Sequence, residues 1–361
     1  MSIISDIIHI LREVNMIEKG KCPICGKTNQ CAITLGEEPS TCWCMTTKVP
    51  KDLVSNIPDE FRNISCVCRE CVKNYNKKVC VVGSLNVDHV LDVKNFPKPG
   101  ETIKASKLST FFGGKGGNQA TACSKLGLTT SMLGSVGSDG HGNSYIEHFT
   151  NMGVNTNLIH QSNISGQAFI QVDQEGENNI VTIGGANYDL SIQWIDDHLE
   201  EILEHDVFLF SLEIPQDLVL YLMEILEKHH KLIILDPAPF ANFHVKMLDY
   251  TDYITPNNSE YEQIKSYLKP SHHVIVKRGE KGSKYIHNEI SINIPPYPVK
   301  AIDTVGAGDT FNAAFCFALV FNYTIEDALM TSNIAGAMAT TKPGAQTGMP
   351  SLQELLRIRY K

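Results

Sequence analysis

The chain has 361 residues, of which 42% are hydrophobic and 20% charged, and its formal net charge is −9. This composition excludes a disordered chain, and the length predicts one large domain accompanied by a smaller one. The longest apolar run, residues 313–321, is too short to cross a bilayer, so we expect a cytoplasmic protein without a membrane partner.

Residues 1–20 predict an amphipathic helix. Apolar residues recur at i, i+3 and i+4 spacing from Ile3 to Ile17, and Gly20 follows as a stop signal. The apolar stripe must be covered, either by the rest of the chain or by a partner.

Residues 21–76 form a cysteine-rich segment with eight of the eleven cysteines of the chain: Cys22, Cys25, Cys31, Cys42, Cys44, Cys66, Cys68 and Cys71. In a reducing compartment this density predicts metal thiolates and not disulfides, and four thiolates close one tetrahedral zinc site. Eight cysteines could serve two Zn²⁺ ions, and their spacing leaves open which of them share a metal.

The charge of this segment argues against nucleic acid as a partner. Lysines and arginines outnumber acidic residues in it. However, eight thiolates on two Zn²⁺ ions would add a charge of about −4, and the basic excess then disappears.

From residue 77 to residue 361, short apolar runs alternate with helical patterns, which predicts a mostly parallel sheet covered by helices. The first strand, residues 79–83, leads into Asn86 and Asp88. These side chains point to one side of an extended segment and can hydrogen-bond vicinal hydroxyls, unless they belong to a polar turn. Residues 111–120, F-F-G-G-K-G-G-N-Q-A, then open a helix near Asn118, and Lys115 is either a ligand contact or a solvated loop charge.

The middle of the chain predicts a lid and a cleft. Residues 168–172 and 179–183 predict a hairpin that could cover a pocket. Four later strands carry polar residues at their ends, which gather at the carboxyl edge of a parallel sheet. These strand ends lie at Glu213, Asp236, Asn257 and Gly279. Glu260 follows one helical turn after Asn257, and the turn at 277–282 suits nucleotide phosphates. We expect the helix that starts at Thr324 to be the final one.

Residues 301–311 read A-I-D-T-V-G-A-G-D-T-F. Gly306 and Gly308 allow backbone N–H groups to point into one concavity at the start of an apolar helix, predicted over 312–321, which makes an anion hole. Asp309 lies at its edge, where a carboxylate can take the proton from a hydroxyl that attacks phosphorus. The alternative is a helix-capping aspartate.

The two glycine motifs, in this order and about 190 residues apart, resemble the signatures of the ribokinase branch of the PfkB carbohydrate kinase family over residues 79–355. The resemblance implies a ribokinase-like α/β sandwich of three layers, with a mostly parallel central sheet and a small β lid. It implies ATP-dependent phosphorylation of a sugar hydroxyl, with Asp309 as the catalytic base. Ribose is favoured, and 2-deoxyribose, fructose-type sugars or a nucleoside are alternatives. Cys42-Trp43-Cys44 likewise resembles the cysteine-rich CWC family, which implies metal binding.

The resemblance also implies the binding residues. The sugar group comprises Asn86, Asp88, Gly114, Lys115, Asn118, Glu213 and Asp309. The group for ATP and Mg²⁺ comprises Asn257, Glu260, Lys277, Gly279, Gly282 and Asn333, together with the anion hole of Gly306, Ala307 and Gly308. A monovalent-cation group, for K⁺, comprises Asp303, Val305, Ala339, Lys342, Gly344 and Gly348.

This sequence departs from the family pattern at Lys277, where many relatives carry Thr, and at Gly348, where a relative uses Ser. The resemblance further implies a homodimer formed through the lid hairpin. A non-catalytic binding scaffold is the rival class of protein, and the intact G-A-G-D motif around Asp309 argues against it.

Overall fold

The computed structural model describes residues 18–62 and 64–360. Residues 1–17 of the predicted N-terminal helix lie outside the described residues, and residues 19 and 20 form a turn. The cysteine-rich segment contains four short helices, α1 (Ala32–Leu35), α2 (Lys51–Ser55), α3 (Asp59–Arg62) and α4 (Arg69–Asn74), and two 3₁₀ turns, Pro39–Thr41 and Trp43–Met45.

The larger domain contains thirteen strands among the described residues: β1 (Lys78–Val82), β2 (Asn86–Asp92), β3 (Lys107–Gly113), β4 (Thr129–Val136), β5 (Ile159–Gln161), β6 (Gly166–Val172), β7 (Asn178–Ile183), β8 (Val207–Phe210), β9 (Leu232–Leu235), β10 (Tyr253–Ile254), β11 (His273–Lys277), β12 (Ser283–His287) and β13 (Ile290–Ile294). Its helices are α5 (Lys115–Lys125), α6 (Gly140–Met152), α7 (Ile192–Asp197), α8 (Leu199–Leu203), α9 (Gln216–Lys228), α10 (Asn258–Ile264), α11 (Ala307–Val320), α12 (Ile325–Ala339) and α13 (Leu352–Arg359).

Nine of these strands form the central sheet, in the order β13-β12-β11-β10-β9-β8-β1-β4-β5. The strands from β11 to β5 are parallel, whereas β12 and β13 are antiparallel additions. In β1, Val81 packs in one core with Phe315 of α11, and Val82 packs in a second core with Leu222 of α9. Alternate strand residues therefore face two helical layers, which confirms the predicted three-layer α/β sandwich.

Four further strands form a separate sheet, the lid, in the order β3-β2-β6-β7. The predicted hairpin is β6 and β7, which pair antiparallel. The sequence-based prediction missed β3 and the full length of β2, because the polar residues of β2 do not show the alternation of a half-buried strand. Asn86 and Asp88 are nevertheless in an extended strand, as predicted, and not in a polar turn.

Two predicted helix limits are wrong. The helix at the second glycine motif begins at Ala307 and not at residue 312, because Gly306 acts as its N-cap with a φ of 77°. The helix capped by Thr324 is α12, and it is not the last one, since α13 follows with a capping box between Ser351 and Glu354. No described helix is both long and apolar enough to span a bilayer.

The cysteine-rich segment packs directly against the larger domain. Ile24 is fully buried in the same core as Phe317, which is in α11, and Tyr323, which follows that helix. The Tyr323 hydroxyl donates a hydrogen bond to the Ile24 carbonyl. The guanidinium of Arg357 in α13 binds Glu60 with an N–O distance of 2.8 Å. The two parts therefore share one continuous core.

Candidate active site

Asp309 lies in the first turn of α11 and is buried, with 7% of its surface exposed. One carboxylate oxygen accepts a hydrogen bond from the Asn118 amide at 2.9 Å, and the other accepts one from the Gln119 amide at 3.2 Å. Burial raises the pKa of Asp309, although the Lys115 ammonium opposes this effect. The capping interpretation of Asp309 is not supported. Gly306 is the N-cap residue of α11, and the Asp309 carboxylate binds side chains of α5 instead of the backbone of its own helix.

Gln119 is the residue that sequence reasoning missed. Its amide nitrogen also donates a hydrogen bond to Asp236 at 3.0 Å, so one side chain connects the carboxylates of Asp236 and Asp309. The only sequence signal was its place beside Asn118 at the start of α5, and a fully buried glutamine there needs polar partners.

Lys115 is the first residue of α5, and it is not a solvated loop charge. Burial disfavours its ammonium, but the carboxylates of Asp309, Asp236 and Glu213 outweigh this effect and raise its pKa. Lys115 therefore remains protonated and supplies a positive charge next to Asp309. Gly114 precedes it with a φ of 80°, and a Cβ atom there would lie 2.7 Å from the backbone nitrogen of Asn86, so glycine is required for this close approach.

Asn86 and Asp88 belong to the lid strand β2, whereas Glu213 follows β8 of the central sheet and accepts a hydrogen bond from the Lys115 backbone nitrogen at 3.4 Å. The side-chain amide oxygen of Asn86 accepts a hydrogen bond from the side-chain amide of Asn187 at 2.8 Å, and Glu213 accepts one from the Ser84 hydroxyl. Burial, and then the charges of Glu213 and Asp309, raise the pKa of Asp88 to about 7. The structure thus brings together the side chains predicted to bind the sugar.

A cavity of about 840 Å³ opens beside Asp309. Its lining includes all the residues predicted to bind ATP: Asn257, Glu260, Lys277, Gly279, Gly282, Gly306, Ala307, Gly308 and Asn333. Lys115 and Asp309 line it too, so they lie at the boundary between the cavity and the sugar residues. This arrangement places one buried carboxylate between two predicted binding regions.

Several of the cavity residues also have structural roles. Asn257 and Glu260 form a capping box at the start of α10, in which each side chain accepts a hydrogen bond from the backbone of the other. The Asn333 amide donates a hydrogen bond to the Pro295 carbonyl at 2.9 Å and so attaches α12 to the segment after β13.

The residues predicted to bind a monovalent cation come from the loop before α11, from the loop after α12 and from Ala339, the last residue of α12. The Asp303 carboxylate accepts hydrogen bonds from the backbone nitrogens of Val305 at 2.9 Å and Gly344 at 2.7 Å, which joins the two loops. Gly348 packs so closely on the Ala339 carbonyl that no side chain would fit there. The Lys342 side chain is exposed in the loop after α12.

Four of the eight cysteines form a compact buried cluster, the four-thiol cluster, whose sulfur atoms all lie within 4.8 Å of one another: Cys22, Cys25, Cys68 and Cys71. The sulfur atoms of Cys22 and Cys71 are 3.7 Å apart, as are those of Cys25 and Cys68. A tetrahedral Zn²⁺ with Zn–S bonds of about 2.3 Å requires sulfur–sulfur distances of about 3.8 Å, so the cluster has the dimensions of such a site.

The other four cysteines lie outside this cluster: Cys31, Cys42, Cys44 and Cys66. The sulfur atoms of Cys42 and Cys44 are 3.3 Å apart, and Cys66 is exposed. Their part in metal binding stays a prediction.

Comparisons with known proteins agree with these features. Residues 76–352 match the family described as pfkB family carbohydrate kinase, and residues 22–73 match the family Cysteine-rich CWC. A ribokinase of Bacillus subtilis (strain 168) is 36% identical over 288 residues, which cover 77% of this chain and 98% of that protein. A deoxyribokinase of Salmonella typhi is 30% identical over 295 residues, which cover 76% of this chain and 96% of that protein.

Among solved structures, Arabidopsis thaliana ribokinase complexed with ribose and ATP is 31% identical, with a TM-score of 0.72, and the match covers 78% of this chain and 98% of that chain. The ribokinase of Thermotoga maritima is 34% identical with the same TM-score, and the match covers 78% of this chain and 99% of that chain. The chain therefore belongs to the pfkB family of carbohydrate kinases, as an ATP-dependent sugar kinase with a cysteine-rich CWC domain before it.

Proposed function

We propose that this kinase transfers the γ-phosphoryl group of ATP to the primary hydroxyl of D-ribose and forms D-ribose 5-phosphate. The observation that carries the proposal is the position of Asp309 between the sugar residues and the cavity, with both oxygens held by Asn118 and Gln119. The 31% identity to a ribokinase solved with ribose and ATP supports this choice of substrates.

In the proposed reaction Asp309 takes the proton of the sugar hydroxyl while the hydroxyl oxygen bonds to the γ-phosphorus. The backbone N–H groups of the first turn of α11 face the charge on the transferred group. Burial raises the pKa of Asp309, which makes the carboxylate a stronger base. Mg²⁺, bound near Asn257 and Glu260, would neutralise charge on the nucleotide phosphates.

The sugar is tested by measuring ATP consumption with D-ribose, 2-deoxy-D-ribose, fructose and a nucleoside, with ³¹P NMR to identify the phosphorylated oxygen. We expect the highest kcat/KM with D-ribose. A higher value with 2-deoxy-D-ribose would favour the second candidate, which the 30% identity to a deoxyribokinase supports.

Asp309→Asn tests the catalytic base. We expect kcat to fall about 10²–10⁴-fold, because the amide cannot accept the proton, while the melting temperature stays near that of the wild type. In the wild type, kcat should also fall on the acidic side as Asp309 becomes protonated, at a pH above the usual aspartate range of about 4. Normal turnover by the folded variant would contradict the assignment.

The proposal includes K⁺ in the two loops joined by Asp303. Backbone carbonyls near Ala339 and Gly344 are suitable ligands, and the hydrogen bond from the Gly344 backbone nitrogen to Asp303 keeps the two loops in contact. The measurement is kcat in potassium chloride against tetramethylammonium chloride at equal ionic strength. Equal rates in the two salts would exclude a functional site.

The proposal also includes Zn²⁺ in the four-thiol cluster, where the sulfur spacing fits tetrahedral coordination. The other four cysteines would supply a second site. Zinc released by a thiol reagent should amount to two ions per chain in the wild type and one in either Cys71→Ser or Cys44→Ser. Less than one ion per wild-type chain would overturn both sites.

A homodimer through the lid completes the proposal. Apolar side chains of the lid are exposed on its strands, among them Leu108, Ile180 and Val181, with 50–62% of each surface accessible. A second copy of the chain would cover them. Light scattering should give twice the mass of one chain, and Val181→Glu should give the monomer; a monomeric wild type at micromolar concentration would refute the dimer.

A further inference from the structure

Lys277 is a buried lysine at the carboxyl end of β11. Its side chain is 13% exposed, and its ammonium forms an ion pair with Asp236 at an N–O distance of 2.9 Å. Asp236 is 3% exposed, so both partners have lost most of their water. By contrast, the ion pair of Lys269 with Asp249 is at the surface, with 65% and 57% of the side chains exposed.

The Lys277 ammonium lies next to the anion hole. A Cβ atom built on Gly308 would be 3.8 Å from this nitrogen, and the side-chain amide oxygen of Asn312 in the same helix is 3.4 Å from it. Both Gly308 and Lys277 line the 840 Å³ cavity. A full positive charge and the N-terminus of the 14-residue helix α11 therefore face the same part of the cavity.

We propose that Lys277 contacts the β- and γ-phosphate groups of the nucleotide and stabilises the charge of the transferred phosphoryl group. This inference rests on the proposed function, because it places ATP in this cavity. A lysine ammonium acts on phosphate as a compact point charge, and in a site with little water its effect is large.

In the transfer step the sugar oxygen bonds to the γ-phosphorus while the bond from that phosphorus to the bridging oxygen breaks. The proton moves to Asp309, and ADP leaves with the bridging oxygen. Lys277 keeps its protons throughout and acts only through its charge and hydrogen bonds.

Asp236 is the positioning residue for this lysine. It holds the ammonium through one oxygen and accepts the Gln119 hydrogen bond through the other. Because Gln119 also binds Asp309, a chain of hydrogen bonds joins the ammonium to the catalytic carboxylate. The positions of the phosphate contact and of the base are therefore set together.

The test measures affinity for a non-hydrolysable ATP analogue and for AMP by calorimetry. In Lys277→Met we expect the affinity for the analogue to fall about 10–100-fold, the affinity for AMP to change less than 2-fold, and kcat to fall about 10²-fold. Lys269→Met is the matched control, since it breaks an exposed Lys–Asp pair, and it should leave all three values unchanged.

Lys277→Met leaves the buried Asp236 carboxylate without its ammonium partner, and an unpaired buried charge can unfold a protein. The double variant Lys277→Met/Asp236→Asn removes both charges and should show the same selective loss of affinity for the analogue. Wild-type affinity for the analogue in either folded variant would overturn the proposal. Because the calorimetry needs no sugar, its outcome is independent of whether D-ribose is the substrate.

Discussion

Single residues in this site carry charges that their surroundings control. Asp309, Asp88 and Glu213 are close enough for their charges to act on one another, and Lys115 is the buried cation that opposes them. Burial raises the pKa of Asp309 and of Asp88, so these two carboxyl groups bind their protons more tightly than they do in the unfolded chain. The stability of the protein must therefore depend on pH through these residues.

Asp88 gives the clearest case. Its pKa is raised to about 7 by burial, against about 3.9 in an unfolded chain, so its ionisation destabilises the folded state as the pH rises from about 4 to 7. We expect Asp88→Asn to increase the free energy of unfolding by about 1–4 kcal/mol at pH 8 and by nearly nothing at pH 4. Urea unfolding at the two pH values measures this difference.

Asp189 is a control in which the pKa shift has the opposite sign to that of Asp88. Hydrogen bonds from Ser162 at 2.6 Å and Asn163 at 2.7 Å lower the pKa of its carboxyl group. Its stabilising effect is present above the unfolded pKa and is lost as the pH falls, so Asp189→Asn should destabilise the protein at pH 8 and not at low pH. An equal gain at both pH values for Asp88→Asn would contradict the assignment of its pKa.

At the scale of elements, the junction before α11 decides whether the proposed anion hole forms. Gly306 has a φ of 77°, and a Cβ atom there would lie 2.6 Å from the Ala345 carbonyl oxygen. An L-amino acid with a side chain is strained at this φ, and the contact would also displace the loop at 342–348. Glycine is therefore required by both the backbone conformation and the available space.

We expect Gly306→Ala to lower the free energy of unfolding by about 1–3 kcal/mol and kcat by at least about 10-fold. Gly140→Ala is the matched control, because Gly140 begins α6 and has no atom within 4 Å of the added Cβ; it should change stability by less than about 0.5 kcal/mol. Thermal unfolding and steady-state rates measure both variants. Wild-type stability and rate in Gly306→Ala would exclude this account of the turn.

At the scale of the molecule, the cysteine-rich segment is part of the core of the kinase. Cys22, Ile24 and Cys71 belong to the same buried cluster as Phe315 and Phe317 of α11. Ile24 lies between Cys22 and Cys25, and its carbonyl accepts a hydrogen bond from the Tyr323 hydroxyl, so the four-thiol cluster lies near the C-terminal end of α11. Loss of the proposed Zn²⁺ should therefore weaken both parts of the chain together.

Ile24→Ala tests this coupling. We expect a loss of about 2–5 kcal/mol, because a fully buried side chain leaves a cavity between the two parts. The chain has two tryptophans, so in a Trp43→Phe background Trp194 alone reports the unfolding of the kinase domain. In Ile24→Ala the thermal unfolding transition reported by Trp194 should shift to lower temperature together with the unfolding transition of the whole chain.

Ile33→Ala is the control in the same segment, since Ile33 is 66% exposed and its truncation should change stability by less than about 0.5 kcal/mol. An unchanged Trp194 transition in folded Ile24→Ala would show that the segment unfolds independently of the kinase domain.

The sequence by itself determined the layered α/β fold, both glycine motifs and the side chains at the strand ends, because these depend on local periodicity and on short spacings. Only the tertiary structure decided which four cysteines meet, that Gln119 joins Asp236 to Asp309, and that Lys277 lies beside Gly308. Such contacts join residues from about 30 to 190 positions apart, and the period of a helix or strand carries no information about them. The full length of the lid strand β2 and the packing of Ile24 escaped prediction, since burial at these places depends on surfaces contributed by distant parts of the chain.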